Sequence, residues 1–244
     1  MRLLLISLQF LTIIPLPFNT RCEKEDLWRS TACFPVAGLV IGGLLVGAQW
    51  LIAPWISRAL CDALLITLLT LITGALHLDG LADVCDGLAA RGSRERFLAV
   101  MKDSQVGAIG AVGLVLALLL KWQALQAVPA ECKWQALLLF PALARFGQVL
   151  TMTGARRARQ DGLGAAFAQG GGALPLFAAF FTVAAAGYYL LDVRGIAALT
   201  AVCILTAAGR TFFQRKLGGL TGDTIGCISE LNEILVLVVF SAIL

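Results

Sequence analysis

Runs of about 20 mostly apolar residues, each long enough to cross a bilayer as a helix, recur along the whole of this 244-residue chain. The clearest cover 33–53, 59–78, 107–128, 134–153 and 173–191. A sixth, 195–213, begins at Gly195 and reaches polar residues near Arg210. Two stretches are shorter. Leu3–Phe18 ends in Pro15-Leu16-Pro17, and Ile234–Leu244 crosses only if Thr221–Glu233 belongs to the same helix. Composition agrees: 59% of residues are hydrophobic and 14% charged, with a mean hydropathy of +0.87, against about 45–50% and about 25% in soluble domains. An ordinary soluble enzyme, a disordered chain and a coiled coil are excluded. The expected fold is all-α, a polytopic integral membrane helical bundle of about six to eight segments, short or re-entrant ones included. It forms a single domain over 1–244. The first segment resembles a signal peptide, but Pro15 and Pro17 stand where a small-x-small cleavage site belongs, so it is expected to be retained.

Lys and Arg gather in alternate connections. Arg21, Lys24 and Arg29 fall in 19–32, Arg91, Arg94, Arg96 and Lys102 in 79–106, Arg156, Arg157 and Arg159 in 154–172, and Arg210, Arg215 and Lys216 in 210–233. Arg2, Arg58, Lys121, Lys133 and Arg194 fall to the other side. The positive-inside rule makes the first set cytoplasmic, and with it the functional loops 79–106, 154–172 and 210–233. The net charge is +4 and no basic run is interleaved with aromatics, so nucleic acid is not an expected partner. The seven cysteines are scattered singly, which argues against a disulfide framework. Gly38, Gly42 and Gly43 suit close helix packing, and Gly170–Gly172 reads as a hinge.

Chemistry concentrates in three stretches. In His77-Leu78-Asp79-Gly80-Leu81-Ala82-Asp83-Val84-Cys85-Asp86-Gly87 the aspartates fall at i, i+4 and i+7, within roughly 60° of one another on a helix. They continue directly from the run that ends near Leu78. No Lys or Arg lies between Thr73 and Ala90 to offset their repulsion, and a divalent cation is the natural compensation. Mg²⁺ takes oxygen ligands and needs few carboxylates when a substrate brings phosphates. Zinc is disfavoured because His77 is the one histidine and no cysteine has ligand spacing. His77 is on the face opposite Asp79, as a general base or as a packing group. Asp103 and Ser104, in Met101–Gly110, precede the next apolar run, as a fourth metal ligand and an anion contact or as an ordinary helix cap. Gly218–Glu230 joins glycines, Thr221, Thr224, Asp223 and Glu230 in a loop and helix start suited to phosphate, with Arg210, Arg215 and Lys216 just before it to hold phosphates.

Arg145 lies deep in its apolar run, where a charge needs a partner. It reads as the structural partner of an aspartate or as a phosphate ligand. Asp62, four residues after Arg58, reads as a local ion pair. Arg159, in the cluster before Asp161-Gly162-Leu163-Gly164, serves orientation, substrate binding or both.

The stretches His77–Gly87, Met101–Gly110 and Gly218–Glu230 resemble the cobalamin synthase family, the membrane adenosylcobinamide-GDP ribazoletransferases. Phe10-Leu11-Thr12 through Pro17, Phe34–Gly38 and Arg159–Gly164 extend the resemblance over nearly the whole chain. Arg145 falls where the family has an arginine. Ile13 and Cys227 depart from its usual residues without removing a proposed ligand. The resemblance implies transfer of phosphocobinamide from adenosylcobinamide-GDP to α-ribazole or its 5′-phosphate, with release of GMP and with Mg²⁺ as cofactor. It implies a place in the bacterial cytoplasmic (inner) membrane, with membrane lipid as a neighbour and room for a homo-oligomer.

On this reading Asp79, Asp83, Asp86 and Asp103 are the metal ligands. Asp83 or Asp86 takes the proton of the attacking hydroxyl, and Asp223 and Glu230 complete the metal site or orient the acceptor. The substrate contacts are His77, Ser104, Arg145, Arg159, Arg210, Arg215, Lys216, Thr221 and Thr224. Two alternatives use the same acids: a CDP-alcohol-type phosphotransferase of phospholipid synthesis, and a divalent-cation transporter.

Overall fold

The structure is a computed structural model that describes residues 1–15, 23–156, 158 and 173–244. Among them every regular element is helical. In chain order the α-helices are α1 (Arg2–Leu11), α2 (Lys24–Ser30), α3 (Phe34–Ile52), α4 (Arg58–Ile72), α5 (Leu76–Ala89), α6 (Arg94–Val100), α7 (Ala108–Ala127), α8 (Lys133–Met152), α9 (Ala173–Leu191), α10 (Val193–Leu217) and α11 (Gly222–Ile243). Six of the described helical stretches are long and apolar enough to cross a membrane, and α4 with α5 makes a seventh if that bent pair counts as one span. The chain is thus a polytopic helical membrane bundle.

The apolar runs become helices much as read. The tail joins the stretch before it, as crossing requires: α11 runs unbroken from Gly222 to Ile243. Its N-terminus is fixed by a reciprocal cap, Thr224 N–H on Thr221 Oγ1 at 3.2 Å and Thr221 N–H on Thr224 Oγ1 at 2.9 Å. The sixth run extends past Arg210 to Leu217, so 210–233 is two helices joined by a short turn and not a loop. Likewise 79–106 is largely α5 and α6. At the other end α1 has 10 residues, about 15 Å of helix against a hydrocarbon core of about 30 Å.

The run 59–78 is not one straight helix. It breaks between Ile72 and Leu76 with a bend of 90°. Gly74 (φ 60°) and Ala75 (φ 56°) adopt the left-handed conformation there, which costs little at glycine. The segment after α1 holds the corner: Ile13 N–H takes the Ile72 carbonyl at 2.8 Å, and a Cβ on Gly74 would stand 2.5 Å from the Ile13 side chain. The acids are therefore on a helix of their own, turned away from the span that leads to it.

Packing follows the small residues. A Cβ on Gly38 or Gly42 of α3 would lie 2.5 Å from the α8 backbone at Ala142 or Leu138. Gly43 takes no part in this contact, since nothing lies within 4 Å of its Cβ position. The largest apolar cluster runs from Leu11 and Phe34 through Phe140 and Phe146 to Phe240. A second, with Leu81, Val84, Phe97, Met101, Phe213, Leu217 and Ile228, ties α5 and α6 to α10 and α11. The Gly170–Gly172 hinge lies outside the described residues.

Candidate active site

Two of the three motifs meet directly. Gly80 of α5 lies so close to the start of α11 that a Cβ on it would stand 2.8 Å from the Asp223 carbonyl oxygen and 2.9 Å from its Cα. One turn deeper, Gly226 packs on the backbone of His77, with 3.3 Å from its Cβ position to His77 Cα. Asp223 therefore sits against the stretch of α5 that carries Asp79 and Asp83, exposed and half-buried respectively. Glycine at 80 and 226 is what permits this approach.

The third motif joins at the far end of α5. The Asp86 carboxylate accepts the Gly107 N–H and the Gly110 N–H, both at 2.8 Å. It acts as a cap borrowed from another helix for the N-terminus of α7, where donors are unsatisfied and the helix dipole favours negative charge. The seat needs both glycines: a Cβ on Gly107 or Gly110 would come within 2.5 or 2.3 Å of an Asp86 oxygen. Asp103 and Ser104 are exposed in the link before α7, and Asp103 Oδ1 accepts the Gln105 N–H at 3.0 Å. Among the described residues no three His, Cys, Asp or Glu side chains stand together as a ready metal centre.

Beneath this acid rim is a buried polar core. Lys121 of α7 pairs with Glu230 and Glu233 of α11, and Glu233 pairs in turn with Arg145 of α8. Two cations and two carboxylates neutralise one another, as charges inside a bundle must. A Cβ on Gly147 would meet Asn232 Nδ2 at 2.4 Å, so this glycine makes room for Asn232, which donates to Thr206 Oγ1 at 2.9 Å. Beside them the Gln148 amide bridges His77 and Ser229.

This core changes several expectations. Arg145 has a carboxylate partner, but it is Glu233 and none of the aspartates. Glu230 is buried with Lys121 and does not share the rim with Asp223, although the two are seven residues apart. Lys121 and Lys133, counted above only for orientation, are both buried, and Lys133 pairs with Asp62. The expected Arg58–Asp62 pair exists at 3.8 Å as the looser of the two contacts.

The basic residues divide by role. Arg210 caps the end of α8, donating to the carbonyls of Leu150, Thr153 and Gly154 at 3.2, 2.7 and 3.0 Å. Arg94 does the same for α10, with Nε 2.6 Å from the Leu217 carbonyl. Arg215 and Lys216 are exposed beside a groove of about 720 Å³ lined also by Ala207, Ala208, Thr211 and Phe212. Lys216 Nζ lies 5.7 Å from the Phe97 ring centre. Thr221 and Thr224 spend their side chains on the α11 cap. Arg159 lies outside the described residues.

The residues missed from sequence are Lys121, Gln148, Ser229 and Asn232. One signal was present: Lys121 is a lone cation inside the apolar run 107–128, the same feature that singled out Arg145.

A membrane bundle that gathers carboxylates, a helix N-terminus and basic residues at one end is built to handle a charged substrate at the membrane edge. Residues 3–241 match the model of the cobalamin-5-phosphate synthase family, and the chain belongs to that family. A protein of Geotalea daltonii named adenosylcobinamide-GDP ribazoletransferase is 58% identical over 100% of this chain and 98% of its own length. Proteins of the same name are 39% identical in Pseudomonas aeruginosa UCBPP-PA14, over 98% of this chain and 97% of theirs, and 32% identical in Caldanaerobacter subterraneus, over 99% and 98%. No solved structure matches.

Proposed function

We propose that this protein is a membrane transferase that joins adenosylcobinamide-GDP to α-ribazole or its 5′-phosphate, yielding adenosylcobalamin or its 5′-phosphate and GMP. The observation that carries this reading is the close approach of Gly80 to Asp223, which gathers two acidic motifs of a member of this family at one site. In the reaction a ribose hydroxyl of the acceptor attacks the phosphorus bound to the corrinoid side chain. The bond to the GMP oxygen breaks, and the hydroxyl proton passes to a base.

The chain's own residues divide this work. Asp83, half-buried on α5 beside the start of α11, is the proposed base. Asp79, Asp83 and Asp223 do not form a preformed three-carboxylate centre, but they carry the oxygen donors that Mg²⁺ favours, and a substrate diphosphate would complete the set, since Mg²⁺ uses few carboxylates and keeps waters and phosphate oxygens. Bound there, Mg²⁺ supplies neutralisation of the charge that builds on the departing GMP. Asp103 and Ser104 border the same end of the bundle as further contacts. Arg215 and Lys216 are free to meet phosphate in a way that Arg210, committed to three carbonyls, is not. Asp86, Glu230 and Arg145 support the site through α7 and the buried core.

By the positive-inside rule the acid rim faces the cytoplasm from the inner membrane. The CDP-alcohol and transporter alternatives have no specific observation in their favour. The test is GMP release by the solubilised protein, which should require both corrinoid and ribazole substrates.

A further inference from the structure

His77 is the one histidine of the chain, and its side chain is buried where α5, α8 and α11 meet, 5% exposed. Its Nε2 lies 2.8 Å from Gln148 Nε2. The same amide nitrogen donates to Ser229 Oγ at 2.7 Å. A glutamine amide nitrogen carries two hydrogens and accepts none. One hydrogen is used on the serine oxygen and the other points at the imidazole. Nε2 is then the bare, accepting nitrogen of a neutral ring, and the ring hydrogen is on Nδ1. Nδ1 is buried and has no hydrogen-bond partner in the described protein. Arg145 stands one turn before Gln148 on the same helix, and its Nε and Nη2 likewise have no acceptor among the described residues. Three donors thus share a buried region in which the described residues offer them no oxygen.

We propose that Gln148 and Ser229 are positioning residues that lock His77 in its Nδ1–H tautomer, making it a fixed hydrogen-bond donor to an oxygen not supplied by the protein and withholding Nε2 from proton transfer. The clause on proton transfer rests on the transferase reading; the lock itself does not. The acceptor oxygen has two sources, a water enclosed between the three helices or the bound substrate. The serine sets the amide, the amide sets the ring, and the ring belongs to the helix that carries Asp79 and Asp83. The base in the reaction is then a carboxylate.

A single histidine makes the lock directly visible. The full-length protein, purified in detergent without a histidine tag and labelled with ¹⁵N-histidine, gives one pair of imidazole nitrogens by NMR. The expected spectrum has hydrogen on Nδ1 and a bare Nε2. Gln148→Glu sets an acceptor against Nε2 and should move the hydrogen there. Ser229→Ala frees the amide to turn and should give a mixture. Both should lower GMP release, by up to about a hundredfold, as displaced active-site groups do. Hydrogen on Nε2 in the wild-type protein overturns the proposal, as does a tautomer indifferent to both substitutions in protein that elutes as a folded species. Loss of GMP release with an unchanged spectrum also overturns it, since that is the mark of a merely structural contact. Added GDP-activated corrinoid distinguishes the acceptors while leaving the lock standing: a shifted Nδ1 signal assigns the substrate, an unshifted one the enclosed water. Failure of the transferase reading would show separately, as absence of GMP release from the wild-type protein.

Discussion

Gly80 of α5 and Asp223 of α11 meet backbone to backbone, with 2.8 Å from the Gly80 Cβ position to the Asp223 carbonyl oxygen. No side chain fits between them. The contact sets how the acids of α5 lie against the helix start that follows the basic end of α10.

Gly80→Ala should therefore push the two helices apart. Overpacking of this kind costs about 1–3 kcal/mol, which a bundle of this size can survive. A displaced site loses more, about a hundredfold in rate. GMP release by the folded variant, compared with its thermal midpoint, measures both.

Asp86 spends both oxygens on α7. Asp86→Ala should cost about 1 kcal/mol, as loss of a helix cap does, and Asp86→Asn less, because its amide oxygen still accepts one N–H. Asp86→Asn should thus keep far more transfer activity than Asp83→Asn. Equal loss in the two variants would assign Asp86 to the reacting centre.

Lys121→Met removes the cation shared by Glu230 and Glu233. Glu233 keeps Arg145, but Glu230 is left buried without its cation. Breaking a buried pair in this way costs about 3–5 kcal/mol. Adding Glu230→Gln should restore much of the loss, and thermal unfolding in detergent measures both variants.

Arg210 and Arg215 should separate stability from binding. Arg210→Gln uncaps α8 and lowers the thermal midpoint. Arg215→Gln leaves the midpoint unchanged and weakens binding of the GDP-activated corrinoid. Titration of that substrate alongside thermal unfolding distinguishes the two.

The spans were legible because hydrophobic run length is the strongest signal a membrane chain carries, and the close-packing face of α3 because Gly38 and Gly42 mark it, though not that α8 is its partner. The corner at Gly74-Ala75 was not, since it depends on Ile13 arriving from a distant part of the chain. The acids were legible as a cluster, yet their division of labour was not. Asp79, Asp83 and Asp86 share a helical face, but Asp86 is drawn off by the N-terminus of α7, a partner 21 residues away. The same limit applies to Glu230. Its seven-residue spacing from Asp223 fixed the face it occupies, while its depth and its pairing with Lys121 came from another helix.

GMP release in detergent, with adenosylcobinamide-GDP, α-ribazole and Mg²⁺ supplied, tests the central claim most directly. The account predicts release that requires both corrinoid and ribazole, stops with EDTA and falls at least a hundredfold in Asp83→Asn, about the weight of a lost general base. Wild-type release from Asp83→Asn protein that inserts and folds normally would contradict the assignment of the site to the acids of α5.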